Sequence, residues 1–388
     1  MQGREKPEKH WSLWLLGSLF SLFVLCSSLW LSLMLWVQQP LGKIGSIILI
    51  GLWLTFALVV LGIYFTRHLI SRQVDTVLYL LAFLFSLLAY FSMEPRQDRD
   101  WNPEVSRLLS YEQRGNLVTL HNIRNFDWQP DGRYTERWES RSFDLNQITG
   151  VNIITSYWMG PKIAHTLVSF DFANQKPLTF SIEIRKEKNE NFSAIGGFFR
   201  KYELSLVASD EKDIIYTRSN VRGEQVYFFP VKMPQAQAKA LFVEYLHQVD
   251  ALAKQPKWYN TLTSNCTTLV FDMVQAVSQQ QLPSDYRLLA SGYLPNYLYD
   301  LKVLDQSWGT LKYYARNPVE KEYTTKKIYE DSTRYHGNFT STTAQNESQS
   351  EYSFEKGNSH PGHTLQSLRD KARAMSVHQR KEDMAHPK

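Results

Sequence analysis

The sequence of 388 residues is poor in cysteine and in net charge, and each shortage excludes a class of protein. Only Cys26 and Cys266 are present, one inside an apolar run and one far outside it, so a disulfide would have to join a membrane core to a polar region. The 43 basic and 38 acidic residues are scattered and leave a formal net charge of +5, which is untypical of a nucleic-acid-binding protein. We therefore expect neither a disulfide nor a nucleic-acid partner.

Motifs for cofactors and metals are also missing. The chain has no glycine-rich phosphate loop, no nucleotide-binding fingerprint and no cysteine-histidine spacing typical of a metal site. Four histidines near the C-terminus lie in the polar tail, with no cysteine or ordered carboxylate framework beside them: His360, His363, His378 and His386. We expect no bound cofactor and no metal.

Long hydrophobic runs, in contrast, are present near the N-terminus. Residues 11–37, 44–66 and 76–93 carry no charge, and each run is 18 residues or longer, which is enough to cross a bilayer. The first run lacks the cleavage site of a signal peptide, which indicates a retained anchor. Charged residues inside the runs would indicate a transport path, and there are none. Residues 1–93 are therefore predicted to form a three-helix membrane anchor.

Basic residues near these runs predict the orientation of the anchor. With the N-terminus in the cytoplasm, the inner segments carry Arg4, Lys6, Lys9, Arg67 and Arg72, against Lys43, Arg96 and Arg99 outside. This excess inside favours that orientation. Three spans then place everything after Met93 on the far side of the membrane. In a bacterium with two membranes this predicts a multi-pass inner-membrane protein with a periplasmic domain.

The extramembrane part is predicted to be an α+β domain over residues 94–316. Alternation of apolar and polar side chains predicts strands at residues 117–123, 165–172, 178–185 and 225–231. Helical spacing predicts helices over residues 238–252, after Pro234, and over residues 269–277. The remaining residues, 317–388, are polar and poor in aliphatic side chains, which predicts a mostly disordered tail.

Cys266 is the thiol of the extramembrane domain and the candidate nucleophile. It lies at the start of the second predicted helix, after Thr263 and Ser264 as candidate caps. Unsatisfied N–H groups and the positive end of the helix dipole favour the thiolate there, and thiolate is the nucleophilic form. The alternative interpretation is a buried cysteine that acts as a small hydrophobic residue.

A catalytic cysteine needs a base, and His121, His165 and His247 are the candidates before the tail. His247 fits a helix surface and His121 a half-exposed strand position. His165 opens a strand after a turn, so we select it as the base. Glu183 on the next predicted strand is the candidate to orient the imidazole, with Ser181 in reserve. The alternative for Glu183 is a surface ion pair with Arg185.

Several short stretches between His121 and Tyr299 carry a family resemblance. They are Ile123-Arg124-Asn125-Phe126, Tyr157-Trp158, Ala164-His165-Thr166-Leu167, Ser181-Ile182-Glu183-Ile184-Arg185, Arg218-Ser219-Asn220-Val221-Arg222, Asn265-Cys266-Thr267-Thr268 and Gly292-Tyr293-Leu294-Pro295. In this order they resemble the periplasmic domain of Lnb-type lipoprotein N-acyltransferases. The resemblance implies a circularly permuted papain-like fold, similar to bacterial NlpC-type enzymes, in which the histidine precedes the cysteine. Cys266 and His165 match the nucleophile and the base of the family.

The resemblance implies an acyltransferase whose substrates are phospholipid and lipoprotein. Cys266 takes an acyl chain from phospholipid as a thioester and passes it to a lipoprotein N-terminus, while backbone N–H groups and Asn265 support the oxyanion. Two alternatives stay open: a thiol hydrolase acting on cell-wall peptides or lipid esters, and a non-catalytic membrane adaptor. An apolar lip at the site would favour lipid, and its candidate residues are Trp158, Met159, Ile163, Phe198, Phe199 and Tyr293.

Overall fold

The structure is a computed structural model that describes residues 8–66, 69–129, 131–278 and 281–304. The predicted disordered tail lies outside the described residues. The chain divides into two units. The first comprises Met1–Gln97 together with Phe192–Tyr202, and the second comprises Asp98–Asn191 and the chain from Glu203 onward.

The first unit contains three long apolar helices, and the three predicted spans are confirmed. Tyr79 on the third helix is fully buried, and its hydroxyl lies 2.8 Å from the Ser27 hydroxyl and 3.1 Å from the Ser28 hydroxyl. The third helix begins four residues before the predicted span, because Ser71 caps it, so Asp75 lies in its first turn. The helices are α1 (Glu8–Gln38), α2 (Gly42–Thr66) and α3 (Arg72–Phe91).

The second unit is built on an eight-stranded mixed sheet with flanking helices, so the α+β prediction is confirmed. Along the sheet the order is β1-β2-β9-β8-β7-β6-β10, with β5 also paired to β2, and a separate β3–β4 pair stands outside it. The strands are β1 (Ser110–Arg114), β2 (Leu117–Arg124), β3 (Asp127–Trp128), β4 (Tyr134–Thr135), β5 (Trp138–Asp144), β6 (Ile148–Tyr157), β7 (Ala164–Phe172), β8 (Leu178–Arg185), β9 (Glu203–Ser209) and β10 (Gln225–Val231). The helices are α4 (Glu211–Tyr216), α5 (Gln235–Lys254), α6 (Thr268–Val277) and α7 (Leu294–Asp300).

Apolar side chains cover both faces of the sheet. On one face, Phe242 and Tyr245 of α5 pack against Phe170 and Phe180 in a ring cluster, because the 3.6-residue spacing of α5 directs one apolar stripe inward. On the other face a smaller cluster joins the sheet to α4: Ile154, Leu167, Ile214, Ile215, Val226 and Phe228. The central strand β7, which carries His165, is buried along its whole length.

The second predicted helix has a different cap from the one expected. Thr263 and Ser264 are the predicted caps, but α6 begins at Thr268, and the side-chain oxygen Oδ1 of Asn265 accepts the N–H groups of Thr267 and Thr268 at 2.8 and 2.9 Å. Asparagine reaches these N–H groups because its short amide side chain folds back over the following turn.

Candidate active site

The pairing of β7 with β8 brings His165, Ser181 and Glu183 together. Leu167 pairs with Ser181, so the antiparallel register carried two residues further sets His165 opposite Glu183, on the same face of the sheet. His165 Nε2 lies 2.7 Å from Ser181 Oγ and 3.3 Å from Glu183 Oε1. The predicted grouping of these three residues is therefore present in the structure.

The hydrogen bonds among the three residues show that Nε2 of the imidazole carries a hydrogen. Ser181 Oγ donates to Glu183 Oε1 at 2.6 Å, and a hydroxyl has one hydrogen to donate. Ser181 therefore accepts from His165 Nε2–H, and the other ring nitrogen, Nδ1, is left for the thiol. The hydrogen bonds from His165 to Ser181 and from Ser181 to Glu183 hold the imidazole in one orientation and keep a hydrogen on Nε2, as a catalytic imidazole requires.

Cys266 stands in the turn that leads into α6. The residue is 7 % exposed, and its thiol lies next to His165 and the backbone N–H of Thr166. Asn265 stabilises the turn from the preceding position, since its Nδ2 donates to the Thr261 carbonyl at 2.8 Å while its oxygen caps α6. The sequence predicts that N–H groups at the start of this helix stabilise the thiolate or an oxyanion. In the structure the N–H groups of Thr267 and Thr268 are bonded to the Asn265 side chain instead.

The charges in the site favour an ion pair between the thiol and the imidazole. Burial raises the pKa of the Cys266 thiol, but the charge of His165, its hydrogen bond and the Thr166 N–H outweigh burial and lower the pKa. Burial and the charge of Arg218 lower the pKa of His165, yet Cys266 and Glu183 raise it to about 9. The arrangement therefore favours a thiolate beside an imidazolium, the form in which a cysteine attacks carbonyl carbon.

Arg218 completes the charge arrangement, and the sequence had given it no role. It is buried, donates from Nη2 to Glu183 Oε1 at 2.7 Å and lies 3.3 Å from Glu224 Oε2. Burial raises the pKa of Glu183, but His165 and Arg218 together hold it well below its usual range. Arg218 lies in a π-helical turn, Thr217–Val221, that directly follows α4. Such turns occur often at functional sites.

Glu183 thus has a different partner from the one that its position suggested. The alternative interpretation paired Glu183 with Arg185, two residues along β8. Arg185 instead donates to the carbonyls of Val105 and Ser106 at 3.1 and 2.9 Å. Its guanidinium lies 4.4 Å from the centre of the Trp101 ring, a cation–π contact.

The turn before His165 is fixed by a close backbone contact. Gly292 N–H donates to the Lys162 carbonyl at 3.0 Å, and a Cβ at Gly292 would stand 2.1 Å from the Pro161 carbonyl oxygen. Ser291 Oγ accepts the N–H of Ala164 and donates to its carbonyl. These contacts explain why glycine occupies position 292, and they hold the residue that precedes His165.

Apolar side chains of this turn are accessible, but the predicted lip is divided between the units. Trp158, Met159 and Ile163 are 41, 57 and 39 % exposed. Phe198 and Phe199 belong to the first unit, where Phe199 is buried against the ends of α1 and α3.

The other candidate bases lie elsewhere. His121 Nδ1 lies 2.9 Å from Ser140 Oγ on the sheet surface, and His247 is an exposed residue of α5 beside Glu244. Among the described residues, no three His, Cys, Asp or Glu side chains form a metal-binding group.

The comparison with known families agrees with the resemblance. The model of the Lnb N-terminal periplasmic domain matches residues 134–292, a stretch that contains His165, Ser181, Glu183, Arg218 and Cys266. No curated protein and no solved structure gives a match. With its three membrane-spanning helices, the chain is a membrane protein with a periplasmic domain, and that domain belongs to the Lnb N-terminal periplasmic domain family.

Proposed function

We propose that this protein is a thiol acyltransferase of the bacterial inner membrane that moves an acyl chain from phospholipid to the N-terminus of a lipoprotein. The observation that carries the proposal is the buried Cys266–His165–Glu183 arrangement in a domain of the Lnb family. His165 on β7 precedes Cys266 in the turn before α6, and this order along the chain supports a permuted papain-like fold. The membrane helices support a lipid substrate because they hold the domain where such substrates are found.

In the first half-reaction the Cys266 thiolate attacks the ester carbonyl carbon of a phospholipid. The tetrahedral intermediate collapses with cleavage of the C–O bond to the glycerol backbone, and the His165 imidazolium gives its proton to the leaving alkoxide. The products are a lysophospholipid and an acyl thioester on Cys266. The relay through Ser181 to Glu183 keeps the imidazole oriented and stabilises its positive charge.

In the second half-reaction the free amine of a lipoprotein N-terminal cysteine attacks the thioester carbonyl. Neutral His165, formed in the first half, accepts the proton of the amine, and the C–S bond breaks to restore the thiolate and imidazolium. The product is an amide, which is more stable than the thioester.

Two other residues have supporting roles in this proposal. Asn265 holds the turn that presents the thiol, through its bonds to Thr261, Thr267 and Thr268. Arg218 is a positioning residue, since it contacts Glu183 and reaches the reacting atoms only through it.

An acyl-transfer assay with the full chain in phospholipid nanodiscs tests the proposal. The phospholipid carries an isotope-labelled acyl chain, and the acceptor is a diacylglyceryl-cysteine lipopeptide with a free amine. We expect the label in an amide at the lipopeptide N-terminus. A lipopeptide with an acetylated N-terminus is the matched negative acceptor, and Cys266→Ala is the matched enzyme control.

Other outcomes refute transfer in distinct ways. Label released as free fatty acid in the presence of acceptor indicates a lipid esterase. Cleavage of cell-wall peptides without lipid turnover indicates a peptidase or amidase. No turnover of either substrate, with an unreactive Cys266, leaves the non-catalytic adaptor.

A further inference from the structure

A segment of the extramembrane chain belongs to the membrane unit. Phe192–Tyr202 connects β8 to β9 in sequence, yet it clusters with the three apolar helices. Phe199 is buried in a group formed with Leu31, Met34, Val37 and Tyr90, near the C-terminal ends of α1 and α3. Both ends lie on the side of the membrane from which the chain continues into the periplasmic domain.

Polar contacts fasten the segment to these helix ends. Gln38, the last residue of α1, donates to the carbonyl oxygens of Phe199 and Arg200, the latter at 2.8 Å. Arg200 Nη1 donates to the carbonyls of Tyr90, Phe91 and Met93 at 3.1, 3.1 and 3.3 Å. A cation at these carbonyls complements the negative end of α3.

The backbone at Arg200 is strained in order to make these contacts. Its φ of 55° lies in the left-handed region, which a residue with a β-carbon adopts only when its surroundings require it. The guanidinium also lies 4.8 Å from the centre of the Tyr90 ring and 4.9 Å from that of Phe91. The position of the segment on the helix ends is therefore specific, because Arg200 alone makes several independent contacts with them.

The side chains on the outside of the segment are large and apolar. Phe192, Ile195 and Phe198 are 48, 52 and 42 % exposed. They belong to the part of the chain fastened to the last turns of α1 and α3, where Trp36 and Phe91 are also exposed. Aromatic side chains at this level of a membrane protein lie at the boundary between headgroups and acyl chains.

We propose that Phe192–Tyr202 is an interfacial lipid-binding element, with Phe192, Ile195 and Phe198 inserted between phospholipids where α1 and α3 end. The occupant of this surface is the lipid of the outer leaflet, because the surface is continuous with the lipid-facing ends of the helices. Arg200 and Gln38 hold the element at that depth. This inference requires only that the helices span a membrane, and it does not depend on the chemistry at Cys266.

Site-directed spin labelling of the full chain in phospholipid vesicles tests the proposal. Ile195→Cys is labelled with a nitroxide in a Cys26→Ala, Cys266→Ala background. The accessibility of the label to oxygen, which enters lipid, is compared with its accessibility to a water-soluble nickel chelate. Leu117→Cys is the matched water-exposed control, since Leu117 on β2 is 49 % exposed, and Trp36→Cys, at a 51 % exposed position near the end of α1, is the lipid-facing control.

We expect the label at position 195 to match the label at position 36, with oxygen accessibility several-fold above that at position 117 and little access to the chelate. Adding Arg200→Gln should move the label toward the behaviour of position 117, while an unchanged size-exclusion profile shows that the chain is still folded. Chelate accessibility equal to position 117 would overturn the proposal. Spin–spin broadening at position 195 would also overturn it, because it would indicate a second copy of the chain as the occupant.

Discussion

Arg218 donates a 2.7 Å hydrogen bond from Nη2 to the Glu183 oxygen that also faces His165. The imidazole is thus oriented by a carboxylate that is itself held by a buried cation. This arrangement keeps Glu183 ionised and lets it stabilise the charged imidazole without taking its proton.

Replacement of Arg218 should weaken catalysis through His165. Arg218→Gln leaves Glu183 and Glu224 without their shared cation, so we expect kcat to fall by about 10- to 100-fold, the usual cost of losing a supporting partner. Since the charge of Arg218 lowers the pKa of His165, the alkaline limb of the pH–rate profile should move to higher pH. Arg218→Lys restores charge without the forked geometry and should recover only part of the rate.

The matched control for Arg218 is Arg222→Gln, in the same stretch of sequence. Among the described residues, the ion pairs of Arg222 are with Glu104 and, at 3.9 Å, with Glu224, and neither involves Glu183. Its variant should keep the position of the alkaline limb. A pH–rate profile of Arg218→Gln that superimposes on that of Arg222→Gln would contradict the positioning role.

The thiol of Cys266 should react with iodoacetamide as a thiolate at neutral pH. His165 and the Thr166 N–H lower the pKa of the thiol. In a Cys26→Ala background the alkylation rate should therefore increase as the pH is raised from acid values, and it should reach its plateau before pH 9. The His165→Ala variant lacks the imidazole, so burial of the Cys266 thiol remains as the main effect and raises the pKa of the thiol. The rate at pH 7 should then fall at least about tenfold and still increase above pH 9. Identical rate profiles in the two chains would refute the ion pair.

The catalytic effects of Cys266→Ala and His165→Ala should not add. Each should lower acyl transfer by roughly 10³-fold or more, and the double variant should be no worse than either, because the two groups act as one unit. Circular dichroism should show unchanged folds. His121→Ala and His247→Ala are the controls and should remain active. An inactive His121 or His247 variant beside an active His165 variant would reassign the base.

Gly292→Ala should disturb the turn that precedes His165. A methyl group there meets the Pro161 carbonyl oxygen at 2.1 Å, so the backbone must shift, at a cost of about 1–3 kcal/mol in the free energy of unfolding. We expect a lower Tm together with lower kcat. Gly51→Ala is the control, because no atom outside the neighbouring backbone of its own helix lies within 4 Å of its added carbon. Equal thermal stability of the two variants would show that the contact is not tight.

Local patterns in the sequence were sufficient for the membrane helices and for several strands. The observed β8 and β10 have the bounds predicted from alternation, and α5 follows Pro234 as expected. Six strands were not predicted, β1, β3, β4, β5, β6 and β9, and of these β6 and β9 belong to the centre of the sheet. The strands β6 and β9 contain small polar residues, such as Asn152 and Ser205, which tertiary packing buries, so neither strand shows a clear alternation of apolar and polar positions.

The site could be predicted only as far as it depends on neighbours in sequence. His165, Ser181 and Glu183 come together through a simple antiparallel register, which period-two reasoning can anticipate. The partner of Glu183 could not be found in this way. Arg218 reaches it from a π-helical turn 35 residues along the chain, a distance at which local patterns carry no information.

Intact-protein mass spectrometry after incubation with phospholipid tests the central claim, that Cys266 carries an acyl chain, most directly. The Cys26→Ala chain should gain the mass of one acyl group, lose it to neutral hydroxylamine, and show no gain when Cys266→Ala is added. Absence of the adduct from the Cys26→Ala chain, or its persistence in the variant that lacks Cys266, would contradict the account.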